Sequence, residues 1–377
     1  MSSNHQCGRL RRFTREGGFT LVEIMVGMVI GLLASLAITQ VFATFDSQKR
    51  STMGGADAQT NGSIALYTIE RDVQMAGFGL PVFDTINPPL KCSPSPTVTA
   101  TPATTPASID IFPLSILDGG AAAGASDTIL VRFGDSAMGG ISVRVVNPAT
   151  PTAAPGIAVN NNQGCVTGDA ALISNGTACG ATQVTIPANT TNIILASAPG
   201  ALATGAYIGC MGKWRQIAYS VNTVAGVVNT ALGPTQLQMQ ASDPLAALAP
   251  LVPDIVNIQA QYGVSAVATS NVVTQWVDAS GATWGPAITV DDRNRIKAIR
   301  VAVVARNGTM DKYNVVTSAC SSTTSATPTG LCAWAGTAVS PAPTIDLSND
   351  PDWAHYRYRV FDTIIPLRNM IWSKNTL

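Results

Sequence analysis

Between Glu23 and Asp46 the chain carries no charged residue. The intervening 22 residues, 24–45, are strongly apolar. As a helix they would span roughly 33 Å, enough to cross the hydrocarbon core of a bilayer. Ahead of them lies a short cationic tail, in which Arg9, Arg11, Arg12 and Arg15 outnumber Glu16. Such a tail stays on the cytoplasmic side, so everything after Phe45 is expected outside the cytoplasm.

Two features set this stretch apart from an ordinary signal anchor. Glu23 stands at the start of the apolar run, where a carboxylate at membrane depth costs on the order of 2.5–3.5 kcal/mol and so calls for a partner. The pair Gly17-Gly18 marks the boundary between basic tail and apolar run. Secretory signals are cut after the apolar region, not before it.

Gly18, Phe19, Thr20, Leu21 and Glu23 resemble the start of a type IV prepilin: a short basic leader ending in Gly, then Phe-Thr-Leu-x-Glu and an apolar helix. The resemblance implies cleavage between Gly18 and Phe19 by a membrane prepilin peptidase, and methylation of the new Phe19 amine. It also implies that Glu23 pairs with the Phe19 amine of a neighbouring subunit. Two opposite charges that must both enter lipid lower each other's cost by meeting. The competing readings are an uncleaved signal anchor and a secretory signal cut after Ala37, with Ser35-x-Ala37 as the small-residue site. Neither accounts for Glu23 or for the Gly-Gly boundary. The mature chain would begin at Phe19, Met1 or Ile38 under the three readings.

The chain has 377 residues, 12% of them charged, with zero formal net charge. That balance argues against nucleic-acid binding, which requires a basic surface. Abundant Ala, Thr, Gly and Pro fit a β-rich envelope protein with long small-residue loops. No cofactor is expected. Of the seven cysteines, Cys7 lies in the leader, and Cys92, Cys165, Cys179, Cys210, Cys320 and Cys332 remain on the oxidising side. An even set there points to disulfides, with 15 connectivities possible. Cys165 with Cys179 and Cys320 with Cys332 would each close a short loop, leaving Cys92 with Cys210.

The helix is expected to continue past the membrane face. Leu66, Ile69, Val73 and Ala76 recur at spacings of three and four. Gly54-Gly55 and Gly62 weaken it and favour a bend, and Gly77, Gly79 and Pro81 supply a stop. Residues 93–108, rich in Pro, Thr and Ser, and residues 147–164 and 318–344 are expected as surface loops. Strand signals occupy 127–133, 184–195, 214–221, 256–262, 295–305 and 356–360. In 256–262 apolar and polar residues alternate strictly, the mark of a half-buried strand. Such hairpins favour an antiparallel sheet with one face on the helix.

The run Tyr358-Arg359-Val360-Phe361-Asp362, then Ile365-Pro366-Leu367-Arg368-Asn369 and Ile371-Trp372, resembles the closing segment of the PilW minor-pilin family. Met75-Ala76-Gly77-Phe78-Gly79 and Gln261-Tyr262-Gly263-Val264 are similar to that family too. The resemblance implies a low-abundance subunit that, with other minor pilins, primes pilus assembly or sits at its tip.

Two other patterns compete. Gly134-Asp135-Ser136-Ala137 with Asp352-x-x-His355 resembles the blocks of GDSL-type esterases, with Ser136 as nucleophile, His355 as base and Asp352 as orienter. Ala137 replaces the Leu of that motif, and the Gly-x-Asn-Asp block is missing. Asp346, Ser348, Asp350 and Asp352 place oxygens at alternate positions, like the opening of a calcium loop. Pro351 and Arg357 stand where such a loop needs Gly and Glu. Trp276, Trp284, Trp334 and Trp353 fit either a binding patch or sheet packing.

The chain is thus expected to be an α+β pilin-like protein: leader 1–18, membrane and filament-core helix 19–46, amphipathic continuation 47–80, and a disulfide-held β-rich head 81–377. It is expected in the inner membrane with its head in the periplasm, then in the pilus, without enzymatic activity. Gly27 and Gly31 lie on one helix face and would allow close lateral packing. Expected partners are the prepilin peptidase, the inner-membrane assembly platform, other minor pilins, the major pilin and the lipid bilayer. A type II secretion pseudopilin shares the start and the architecture; an adhesin or envelope hydrolase is the rival from another class.

Overall fold

The computed structural model describes residues 18–80, 112–162, 164–176, 178–189, 191–221, 236–241, 249–316 and 318–372. Two compact units divide the chain, residues 1–53 and 54–377. The tract 93–108, Pro81, Cys7 and Cys92 lie outside the described residues.

One long helix, α1 (Leu21–Gln74), contributes to both units. In the first unit its described side chains are exposed all round, Phe42 by 70% and Leu32 by 65%. In the second unit one face is buried: Gly54, Ala58, Gly62, Ala65, Ile69, Val73 and Ala76. These recur every three or four residues, as a helix stripe must. The glycines do not interrupt the helix, which runs through Gly54, Gly55 and Gly62. Two of these glycines make room for close neighbours. A Cβ at Gly62 would come within 2.1 Å of the Phe361 ring, and one at Gly54 would overlap the Asn307 side chain. After the helix, Gly77 takes φ 78°, a left-handed turn that costs glycine little.

The strands in chain order are β1 (Leu114–Leu117), β2 (Thr128–Gly134), β3 (Ser142–Asn147), β4 (Ile157–Val159), β5 (Ala170–Ser174), β6 (Cys179–Asn189), β7 (Asn192–Leu195) and β8 (Tyr207–Cys210). Then come β9 (Trp214–Val221), β10 (Gln236–Ala241), β11 (Ala249–Pro253), β12 (Ile255–Val264), β13 (Gln275–Val277), β14 (Ile296–Arg306) and β15 (Tyr358–Pro366). Their ladders are antiparallel, and they form three sheets where one was expected. One sheet runs β1-β2-β9-β10-β11, another β13-β12-β14-β15, and β3-β4-β7-β6-β5-β8 close into a barrel. The fold is α+β, as the sequence predicts.

The buried stripe of α1 shares one core with both open sheets, through Ile69, Ile129, Tyr219, Ile258, Ile299, Val301 and Val303. A buried polar bolt fixes the helix to β9. The Tyr219 hydroxyl donates to the Asp72 carboxylate, and Arg71 Nε donates to the other carboxylate oxygen at 2.8 Å. Burial and that hydrogen bond push the Tyr219 phenol well above its ordinary range.

The barrel has its own core of Val143, Val145, Ile157, Ile173, Ile193, Leu195 and Ile208. Closure removes the free strand edges that six short strands would otherwise expose. Residues 147–164 were expected as a surface loop, yet β4 lies there, with Ile157 fully buried. Its three residues are too short to show a period; pairing with β3 and β7 gives them their place.

The expectation of a half-buried strand at 256–262 is also corrected. In β12, Asn257, Gln259 and Gln261 are buried along with their apolar neighbours. The connection from β14 to β15 covers this outer face, packing Leu331, Ala333, Trp334, Ala342, Ile345 and Leu347 against Ala302 and Val304. Residues 318–344 are therefore a covering layer rather than a free loop. The polar side chains of β12 find partners in three segments: Asn257 Nδ2 donates to Ala125 O, ahead of β2, at 2.6 Å, and Gln261 Nε2 donates to Pro341 O of the covering layer at 2.7 Å and to Asp278 Oδ1, just after β13, at 2.8 Å. Arg300 lies over the Trp334 ring at 4.5 Å. Trp276 packs on Gly263, and Trp284 and Trp353 are half-buried, so these aromatics serve packing.

Candidate functional site

Residues 18–20 are non-helical and exposed, and helix begins at Leu21. The local cause is a capping pattern, Thr20-x-x-Glu23. Thr20 Oγ1 accepts the Glu23 N–H at 3.3 Å, and Thr20 O accepts the Ile24 N–H at 3.2 Å. The Gly18–Phe19 bond therefore lies in exposed, non-helical backbone just ahead of the cap. The capping role of Thr20 is legible in the sequence as Thr three residues before Glu.

Past the cap, every large apolar side chain from Leu21 to Phe45 is at least half exposed. Hydroxyls within the run are satisfied internally: Ser35 donates to Leu32 O, Thr39 to Leu36 O and Thr44 to Gln40 O, each at 2.9 Å. Side chains that bond back to their own helix suit a lipid surrounding, which offers no other partner. Among the described residues this is the one helix long and apolar enough to cross a membrane. Glu23 is exposed, with no cation paired to it among the described residues. A Cβ at Gly27 or Gly31 would meet nothing within 4 Å, so this face is open to a neighbour.

The esterase pattern does not assemble. Ser136 follows β2, its N–H bonded to Met211 O at 3.1 Å, and its Oγ is buried without a partner. His355 Nδ1 lies 3.0 Å from Asp311 O, and the Asp352 N–H donates to Asp350 Oδ1. No hydrogen bond among the described residues links Ser136, His355 and Asp352. The calcium pattern does not converge either. Asp346 accepts the Ser348 N–H at 2.9 Å, and hydrogen bonds from Ser348 hold its carboxyl below the usual range. Asp350 instead turns to Arg306, 3.5 Å away. Among the described residues no group of three or more His, Cys, Asp or Glu could hold a metal ion.

The cysteine pairing is partly different from the expectation. Cys165 bonds Cys210, not Cys179, and Cys320 bonds Cys332. The physical reason lies in the barrel. Cys210 ends β8, which pairs with β5, and the segment carrying Cys165 runs into β5, so residues 45 apart in sequence meet with Cα atoms 5.1 Å apart. Cys179, which opens β6, is also disulfide-bonded, to a partner outside the described residues.

Asp127 was not singled out from the sequence. It ties β2 to β12 by accepting the Gly119 N–H at 2.9 Å and the Ala260 N–H at 2.7 Å. Burial pushes its carboxyl up to about 7, against the pull of those two donors, and nearby Asp118 and Asp278 add to the rise.

Residues 218–369 match the family model described as Type IV Pilus-assembly protein W, and residues 13–39 match the prokaryotic N-terminal methylation motif. The first match runs from within β9 through β15; the barrel lies outside both. No curated protein and no solved structure matches the chain.

Proposed function

We infer that this chain, a type IV prepilin-like PilW protein and a minor pilin related to the type IV pilus, takes part in pilus assembly within a priming or tip complex. One observation carries the reading: a methylation motif heads an exposed apolar helix in the same chain that matches the pilus-assembly family over its C-terminal sheet. On this reading prepilin peptidase cuts after Gly18, and the Phe19 amine is methylated. The helix holds the subunit in the inner membrane, head in the periplasm, until the assembly platform passes it to other minor pilins and the major pilin. Glu23 then meets the Phe19 amine of the adjoining subunit, so that neither charge stays alone in the apolar filament core. The pilin-family matches point to a structural, non-catalytic protein.

N-terminal sequencing of the membrane-bound protein tests the processing step; it should begin at a methylated Phe19, and a start at Met1 or Ile38 would refute it. Deleting the gene and scoring surface piliation and twitching against protein secretion tests the system. Loss of piliation with secretion intact is expected. The reverse would make the chain a type II secretion pseudopilin.

A further inference from the structure

The connection between β14 and β15 opens with a short outward excursion, residues 307–316, that is pinned at its base. The Asn307 N–H donates to Arg357 O at 2.8 Å, the Asp311 N–H to His355 O at 2.9 Å and the Val315 N–H to Ala354 O at 2.8 Å. Arg357 Nε donates to Asp311 Oδ2 at 2.9 Å. Between these pins two apolar side chains face outward, Met310 at 48% and Tyr313 at 73% exposure. The Lys312 ammonium stands 5.6 Å from the Tyr313 ring. The head thus holds an apolar side chain, an amphipathic aromatic and a cation together on a fixed loop.

The loop lies at the end of the head where α1 enters it. Asn307 packs on Gly54, where the chain enters the head. The pairing of Ile255 with Ala305 marks that end of the sheet, and the pairing of Val264 with Ile296 marks the far end, where Gln275 holds Val339 O. Eight residues, 46–53, separate Gly54 from the charge-free run that ends at Phe45. Even fully extended, those nine steps reach no more than about 30 Å. The loop is therefore tethered within reach of any bilayer that holds the apolar run. Tyr settles at headgroup level, Met enters the apolar layer beneath, and Lys reaches to lipid phosphates.

We propose that the 307–316 loop, through Met310, Lys312 and Tyr313, is a membrane-surface contact that docks the head on the anionic headgroup layer of the bilayer before the subunit leaves it. The proposal rests on membrane anchoring by α1.

The test uses the full chain carrying Cys7→Ser, in vesicles of phosphatidylethanolamine and phosphatidylglycerol. A polarity-sensitive dye is placed in turn through Tyr313→Cys, Val339→Cys or Phe42→Cys. Positions 313 and 339 are both largely exposed, 73% and 69%, so neither label enters the core. Acyl-chain spin labels should quench the dye at 42. Headgroup spin labels should quench the dye at 313 at least about twofold more than at 339, as an interfacial position requires. Quenching at 42 with equal response at 313 and 339 would overturn the docking contact while leaving the anchor standing. No quenching at 42 would overturn the anchor, and the docking contact with it.

Discussion

Gly55 and Gly62 sit on the same helix, and the same substitution should move stability in opposite directions at the two sites. Replacing Gly by Ala inside a helix gains about 1 kcal/mol from backbone preference alone. At Gly55 the added Cβ meets nothing within 4 Å, so Gly55→Ala should gain about that much in full. At Gly62 the same atom would lie 2.1 Å from Cε2 and 2.3 Å from Cδ2 of Phe361, where ordinary contact begins at 3.4 Å. The ring would have to retreat by roughly 1.3 Å, yet β15 is laddered to β14 at that position, Phe361 opposite Val303. Overpacking of this kind costs about 1–3 kcal/mol, leaving Gly62→Ala destabilising by about 0–2 kcal/mol. The difference between the two variants isolates the steric cost, because backbone preference cancels. Urea titration of the detergent-solubilised chain, followed by tryptophan fluorescence, measures it. In a Phe361→Ala background the difference should shrink to within about 0.5 kcal/mol. Equal stabilisation by Gly55→Ala and Gly62→Ala in the natural background would refute the close approach of helix and strand.

Peptide mapping under non-reducing conditions should recover Cys165 linked to Cys210 and Cys320 linked to Cys332; a Cys165–Cys179 peptide would contradict the barrel topology. With separations of 45 and 12 residues, loss of the first bond should cost more, about 4 against about 3 kcal/mol by chain entropy. Asp127 should make the head less stable as pH rises from about 4 to about 7. Its folded carboxyl, raised to about 7 from 3.8, keeps a proton in that window that the unfolded chain releases. The gap corresponds to on the order of 4 kcal/mol, flat above neutrality. Asp127→Ala should remove that slope, and an unchanged slope in a pH series of urea titrations would exclude Asp127 as its source.

What the sequence made legible and what it hid follow from how far each signal reaches along the chain. The spacing of Leu66, Ile69, Val73 and Ala76 shows the buried stripe of α1 because a helix repeats its environment every turn. The strand at 295–305 is visible because Ile299, Val301 and Val303 share one face over a long run. The covering of β12 was hidden, since its alternating Asn257, Gln259 and Gln261 look the same whether water or distant segments, here Ala125 and Pro341, supply their partners. The barrel was hidden for a related reason: its strands are three to eleven residues long, and closure depends on pairings such as β3 with β8, distant in sequence. The glycines misled in a third way. Gly54 and Gly62 weaken a helix in isolation, but against Asn307 and Phe361 they are what allow the helix to approach. Of the candidate site, the pattern of Gly18, Phe19 and Glu23 is local: it lies within six residues and needs no distant pairing to be seen.

Glu23 has two physical explanations, and one substitution separates them. It occupies the third helical position after Thr20, where an acid favours helix initiation through the capping box and the helix dipole. That local role would suit Glu23 in any helix and needs no second subunit. It does not explain why a carboxylate at the edge of a charge-free run, costing on the order of 2.5–3.5 kcal/mol in lipid, is worth keeping. Glu23→Gln keeps the capping geometry, because Gln serves at that position as well as Glu, but it removes the charge. Glu23→Ala removes both. If pairing with the neighbouring Phe19 amine is the role, both variants should insert in the membrane and both should fail to enter the filament to a similar extent. If capping is the role, Glu23→Gln should enter normally and only Glu23→Ala should fail. Quantifying each variant in sheared pili against membrane fractions decides between them, and normal filament entry of Glu23→Gln would refute the charge-pairing argument.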